Sequence, residues 1–195
     1  MYAISHARAV RLQRSARGFS LIELGIVIAV IAVLAAVVIF GRGFIVASRV
    51  SKLVEATNTV RKAASTYAGL MGGSLNQVEV PSSGIVKLAN RQLLPPLVPN
   101  QNVWVVSGPN PPTSDSYKIE GVGLGQVATV GGGMQNAVSI QFYTPKKENA
   151  EDVVSSVMND PNMIKGSQEP GGSGGLCASS PTDAQAAKTY VCFSL

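Results

Sequence analysis

The chain has 195 residues, a formal charge of +5, only 14% charged residues, 20 glycines and a single histidine, His6. With no histidine after position 6, a histidine-based triad or metal centre is excluded from the rest of the chain. Four of the positive charges are Arg8, Arg11, Arg14 and Arg17, which leaves 12 basic against 11 acidic residues, so the basic balance reports the N-terminus and not a nucleic-acid surface.

Residues 1–18 hold those arginines and no acid. Leu24 to Phe40 follows, without one charged or strongly polar side chain. As a helix rising ~1.5 Å per residue, Ser20 to Phe40 reaches about 30 Å, the thickness of a bilayer's hydrocarbon core. A run apolar on every side cannot be the half-buried helix of a soluble domain; it sits in lipid or is wrapped by other protein. The basic flank stays on the cytoplasmic side, so residues beyond 41 face out. A secretory signal has the same order of parts, but here the core is long and no Ala-x-Ala site follows it before Gly41. Glu23 is a lone carboxylate near the start of the run. An ionisable group there is costly and calls for a partner.

Arg17-Gly18-Phe19-Ser20-Leu21-Ile22-Glu23, followed by this apolar run, resembles the prepilin signal of type IV pilins, which the pseudopilins of type II secretion share. The resemblance covers roughly residues 14–45. It implies cleavage between Gly18 and Phe19 by a prepilin peptidase that then methylates the new Phe19 amine. It implies that the apolar helix stays in the mature protein as membrane anchor and polymerisation element. It also implies that Glu23 of one subunit pairs with the Phe19 amine of another. The implied partners are further copies of the chain, the inner membrane before assembly, the peptidase and a pilus assembly platform. The head would lie in the periplasm and later on an extracellular pilus. No cofactor and no enzymatic activity are implied. The function so implied is that of a major pilus subunit; the alternatives are a pseudopilin or minor pilin, and a membrane-anchored binding module that never polymerises. Phe19 as first mature residue is similar to type IVa pilins, whereas the leader length is similar to type IVb.

The predicted fold is α+β: a leader at 1–18, a transmembrane and polymerisation helix at 19–43, and a head at 44–195. The head divides into an amphipathic helix 44–70, a loop region 71–100, a sheet 101–144 and a C-terminal region 145–195. In the first part, Val46, Val50, Leu53, Val54, Thr57, Val60, Ala64, Tyr67 and Met71 recur at steps of mostly three and four, the face of an α-helix that continues the anchor. Gly41 and Gly43 flank Arg42 within this helix; each weakens a helix by ~1 kcal/mol relative to Ala, which makes them the expected point of flexibility in a filament. Type IV pilins often carry a proline near here, and this chain does not. Gly72-Gly73 ends the helix.

Residues 72–100 are punctuated by Gly and Pro, with a short strand expected at Gln77–Val80 and a short helix at Gly84–Leu94. Asn102–Val106, Tyr117–Leu124, Gln126–Val130 and Ala137–Tyr143 read as strands, rich in Val, Ile, Tyr and Phe and bounded by turn residues. Short connections favour an antiparallel sheet, whose apolar face takes the apolar face of helix 44–70. Trp104 is expected in that core. Glu148–Asn159 reads as a helix stopped by Pro161, Gln168–Gly175 as a Gly-rich loop, and Tyr190–Phe193 as a last strand.

Cys177 and Cys192 are the two cysteines. In a periplasmic or extracellular head a disulfide is their expected state. A zinc pair is the rival, without a histidine to support it. Type IV pilins often carry such a C-terminal disulfide-bounded loop. Gly121-x-Gly123-x-Gly125 follows a strand-like run but opens no helix, so it reads as a β-turn region rather than a nucleotide loop. Glu151, Asp152 and Asp160 lack EF-hand spacing. Arg61-Lys62 and Lys146-Lys147 are small basic clusters that could touch DNA, phospholipid or a host surface in an assembled filament, where repetition multiplies weak contacts.

Overall fold

The computed structural model describes residues 18–75, 79–128, 132–168, 170, 175–186 and 188–195. The chain forms two compact units, Met1–Arg42 and Gly43–Leu195. One helix, α1 (Leu21–Leu70), contributes to both.

In the first unit the helix is rich in β-branched residues: Ile22, Ile26, Val27, Ile28, Val30, Ile31, Val33, Val37, Val38 and Ile39. Such residues lose side-chain freedom in a helix and are indifferent helix formers in water. In lipid the balance changes, because every backbone N–H and C=O must be satisfied within the segment, and a helix does that. An 18-residue window of this helix reaches a mean hydropathy of 3.1, and none of it is buried in the chain. The helix continues through Gly41 and Gly43.

In the second unit the rest of α1 is amphipathic. Val50, Leu53, Ala56, Thr57, Val60, Ala63, Ala64, Tyr67 and Ala68 are buried, at the spacing of a single face. Of the residues expected on that face, Val46 and Val54 are half-buried and Met71 lies beyond the helix, exposed. Gly72 and Gly73 follow the helix with φ of 86° and 83°, the left-handed conformation that ends a helix at little cost only in glycine.

The helix packs on a five-stranded antiparallel sheet built from β1 (Trp104–Ser107), β2 (Tyr117–Ala128), β3 (Met134–Tyr143), β4 (Met163–Ile164) and β5 (Thr189–Ser194), in the order β1-β2-β3-β5-β4. The core face of β3 is Val138, Ile140 and Phe142, and that of β5 is Val191 and Phe193. On β2 the core residues are Tyr117 and Ile119, then Val122 and Leu124. An irregularity between Ile119 and Gly121 absorbs the change of phase. Without the extra residue, a period of two would turn Val122 and Leu124 to the other face.

α2 (Pro81–Asn90) sits directly on this bulge, with Ile85 and Leu88 in the core. Contact is close enough that a Cβ on Gly84 would lie 1.9 Å from the Val122 carbonyl oxygen, and one on Gly121 2.6 Å from Pro81 Cβ. α3 (Lys147–Val157) buries Ala150, Val153, Val154 and Val157 in the same core. The opposite face of β3 and β5 presents the small residues Ala137, Ser139 and Cys192, all fully buried. The C-terminal segment covers this face: Ser139 Oγ donates to the Pro170 carbonyl at 3.2 Å, Cys177 is bonded to Cys192, and Gly175 lies against the Tyr190 ring.

Several expected boundaries shift. The helix of the 71–100 region spans Pro81–Asn90 and not Gly84–Leu94, because Pro81 supplies its first turn with a fixed φ and no N–H to satisfy. Residues 77–78 of the expected strand Gln77–Val80 lie outside the described residues; Glu79 makes an isolated antiparallel bridge to Leu124, and Val80 caps α2. Tyr117–Leu124 and Gln126–Val130 are not two strands. They merge in β2, since Gly125 keeps its place in the ladder opposite Ala137; residues 129–130 are outside the described set. Trp104 is half-buried against the core. Strand β4 and a 3-10 turn at Pro181–Asp183 were not expected from the pattern, being too short to show a period.

Candidate functional site

Gly18, Phe19, Ser20 and Glu23 form a local unit at the start of α1. Ser20 stands at the N-cap, its carbonyl accepting from the Leu24 N–H at 3.1 Å. The Ser20 N–H donates to Glu23 Oε2 at 2.8 Å, and the Glu23 N–H donates to Ser20 Oγ at 3.2 Å. This reciprocal pair is a capping box, and it satisfies two donors that a helix start would otherwise leave open. Ser20 is the residue that sequence reasoning missed here. The Ser-x-x-Glu spacing is the signal that carries it, because a serine and a glutamate three residues apart reach each other's backbone N–H at a helix start.

The segment just before the box is open. Phe19 is 86% exposed, and among the described residues no atom lies within 4 Å of where a Cβ on Gly18 would sit. A peptidase needs such an accessible backbone. Removing residues 1–18 would create an amine on Phe19, adjacent to the residue whose N–H already holds the Glu23 carboxylate. Beyond the box, every large apolar side chain from Phe19 to Ile45 is about half exposed or more; the least exposed, Val27, is at 49%. Nothing in the described chain covers this surface.

The remaining expected residues lie elsewhere in the chain. Gly41 and Gly43 are helical positions of α1 with open space around them. Cys177 and Cys192 form a disulfide in the second unit, with Cα atoms 5.6 Å apart, tying the segment before the 3-10 turn to β5. That unit also holds two polar anchors that the sequence did not mark. Arg61 of α1 bonds Asp160 at 2.5 Å and lies over the Phe193 ring, and Glu79 is paired with Lys87 and accepts from Ser83. Burial tends to raise the Asp160 carboxyl, but the Asn162 N–H and the Arg61 guanidinium outweigh it and hold it below its ordinary value.

Comparison with known proteins found no match among curated proteins and none among solved structures. A family model does match: the prokaryotic N-terminal methylation motif, over residues 13–39. The match spans the arginine-flanked glycine, the capping box and nearly all of the apolar run. The exposed Phe19, the capped Glu23 and the uncovered apolar helix lie within that span or directly beside it. The chain therefore carries the prepilin-type signal that type IV pilins and pseudopilins share, and the signal supports that class.

Proposed function

We propose that this protein is the major structural subunit of a type IV pilus, a non-catalytic protein that polymerises through its N-terminal helix. The observation that carries the reading is the bare apolar surface from Phe19 to Ile45 behind a prepilin signal. As a membrane-anchored precursor the chain keeps this surface in lipid. Once extracted, the surface escapes water only against other protein. Each large apolar side chain moved out of water contributes about 1.5–3 kcal/mol, which over such a run outweighs the entropy cost of association. Copies joined head to tail without closing give a helical fibre.

In this reading Gly18–Phe19 is the cleaved bond, Phe19 the methylated residue, and Glu23 the acid that pairs with a neighbour's Phe19 amine. Two charges that would be costly in the apolar interior become one pair, which also fixes axial register. Gly41 and Gly43 supply the helix's flexible point. The head faces the periplasm in the precursor and the exterior in the pilus. The disulfide and the size of the head support a principal subunit over a minor one.

Copy number tests this. Filaments sheared from cells should contain the chain as their dominant protein, and Glu23→Ala should remove them while the precursor remains in the membrane. A trace amount in filaments made of another subunit would mean a minor pilin. Retention in the membrane with or without Glu23, and no filament, would mean an anchored module.

A further inference from the structure

Asp160-Pro161 is the one Asp–Pro pair in the sequence. After most aspartates the next backbone nitrogen can attack the side chain, but proline has no N–H with which to do so. The reverse attack remains, by the side-chain carboxyl on its own backbone carbonyl, and that attack breaks the chain. The tertiary nitrogen of proline leaves readily once it is protonated. The fold puts this bond in an open turn between α3 and β4, where Pro161 and Asn162 are exposed. A cleft of about 280 Å³, lined by Arg61, Lys62, Asn162 and Ser194 among others, borders the turn and admits water. The Met163 N–H donates to the Asp160 carbonyl oxygen at 3.1 Å, which polarises the carbon that would be attacked.

Only the attacking carboxyl is restrained. Asp160 Oδ2 accepts from Arg61 at 2.5 Å, and Oδ1 accepts from the Asn162 N–H at 2.9 Å. Arg61 is itself fixed, half-buried with its guanidinium 5.4 Å from the centre of the Phe193 ring. Among the described residues Arg61 is the one charged partner of Asp160; Lys62, in the adjoining cleft, makes no ion pair with it. The last turn of α3 carries no charge, nor do Phe193 and Ser194 of β5 beside the turn.

We propose that Asp160–Pro161 is a latent self-cleavage site that Arg61 holds closed. When the carboxyl is protonated and leaves Arg61, its oxygen adds to the Asp160 carbonyl carbon and its proton passes to the Pro161 nitrogen. The C–N bond breaks, leaving a cyclic anhydride at Asp160 and a free proline amine. One water opens the anhydride to two carboxyl groups. The sum is hydrolysis of one peptide bond, with nothing oxidised or reduced. A carboxylate pinned to a guanidinium has neither the proton nor the freedom for this. The released piece, residues 161–195, carries β4, β5 and both cysteines, so the disulfide does not tie it to the rest. Its hold is the pairing of β5 with β3. The site stands within the second unit and is independent of whether the chain polymerises.

Intact mass of the full chain, held in detergent at neutral pH and at about pH 3, tests it. In acid the folded parent should slowly give two pieces, 1–160 and 161–195, whose masses sum to the parent plus one water. At neutral pH it should stay whole. The same chain unfolded in guanidinium at the same acid pH should cleave at least about tenfold faster, because a bond to a charged partner no longer has to be broken first. Arg61→Gln, shown to be folded by circular dichroism, should close most of that gap, and Arg61→Lys should stay near the parent. Asp160→Asn and Pro161→Ala should not cleave. One readout needs no variant. Against the opposing effect of burial, the Asn162 N–H and Arg61 hold the Asp160 carboxyl below its ordinary value, so cleavage should set in at a lower pH in the folded parent than in the unfolded chain. Coincident onsets, equal rates in folded parent, folded Arg61→Gln and unfolded chain, or an unfolded chain that stays whole at 160–161 would each overturn the proposal. Because the readout needs no filament, its failure is separate from a failure of the pilin reading.

Discussion

The backbone N–H of Ser20 donates to Glu23 Oε2 at 2.8 Å, so the acid of the apolar helix is held one residue from the amine that the proposed cleavage before Phe19 would create. Glu23 therefore has two duties, closing the helix start and supplying a charge, and substitution can part them. Glutamine closes a capping box as glutamate does but carries no charge. Glu23→Gln should keep the helix start and still cut filament yield more than about tenfold, because the pair proposed with a neighbour's Phe19 amine would be lost. Ser20→Ala removes one of the two box bonds and keeps the charge, so its loss of filaments should be smaller. Filaments counted by electron microscopy and by shearing decide it; wild-type assembly in Glu23→Gln would mean that the acid serves only the cap.

Two glycines of the head should respond in opposite directions to alanine. At Gly84 a Cβ would collide with the Val122 carbonyl, a backbone atom that cannot turn aside. Gly84→Ala should push α2 off the bulge and destabilise the head by about 1–3 kcal/mol. Gly69 is helical with open space around it. Gly69→Ala should stabilise by up to about 1 kcal/mol. Denaturant midpoints of the full chain in detergent measure both.

The disulfide joins residues 15 apart and closes the C-terminal segment over the small-residue face of β3 and β5. Paired Cys177→Ser and Cys192→Ser should cost about 3 kcal/mol in the chain-entropy model. Reductant should shift the unfolding midpoint of the native protein by a similar amount and leave that of the double variant unmoved.

Asp160 ties the α3–β4 connection to Arg61 of α1. Its carboxyl is held below the ordinary 3.8, so the folded chain binds this proton less readily than the unfolded one. The resulting stability is fully present above that value and is lost as pH falls through the lower folded value. Asp160→Asn should therefore be less stable than the parent at neutral pH, with the gap narrowing below about pH 4. Chemical unfolding across an acid series checks this; a constant gap would show that the bond contributes through shape alone.

Much of this architecture was legible in the chain. The apolar run, the amphipathic stripe from Val50 to Tyr67, the glycine stop and the antiparallel strands all follow from periods and turn residues. What escaped was set by tertiary contact. The merging of two expected strands into β2 depends on Ala137 pairing opposite Gly125, and the seat of α2 on the bulge depends on the close approach of Gly84 and Pro81 to β2. Strand β4 exists because β5 offers Met163 and Ile164 an edge. At the candidate site, the prepilin pattern named Gly18, Phe19 and Glu23. Ser20 went unnoticed because a cap is a matter of hydrogen-bond direction and not of hydropathy.

The intact mass of the protein in sheared filaments tests the central claim most directly. A subunit that polymerises after processing should weigh as residues 19–195 plus one methyl group and less two hydrogens for the Cys177–Cys192 bond. A protein that keeps its arginine-rich first eighteen residues and is found only as single molecules in the membrane would contradict it.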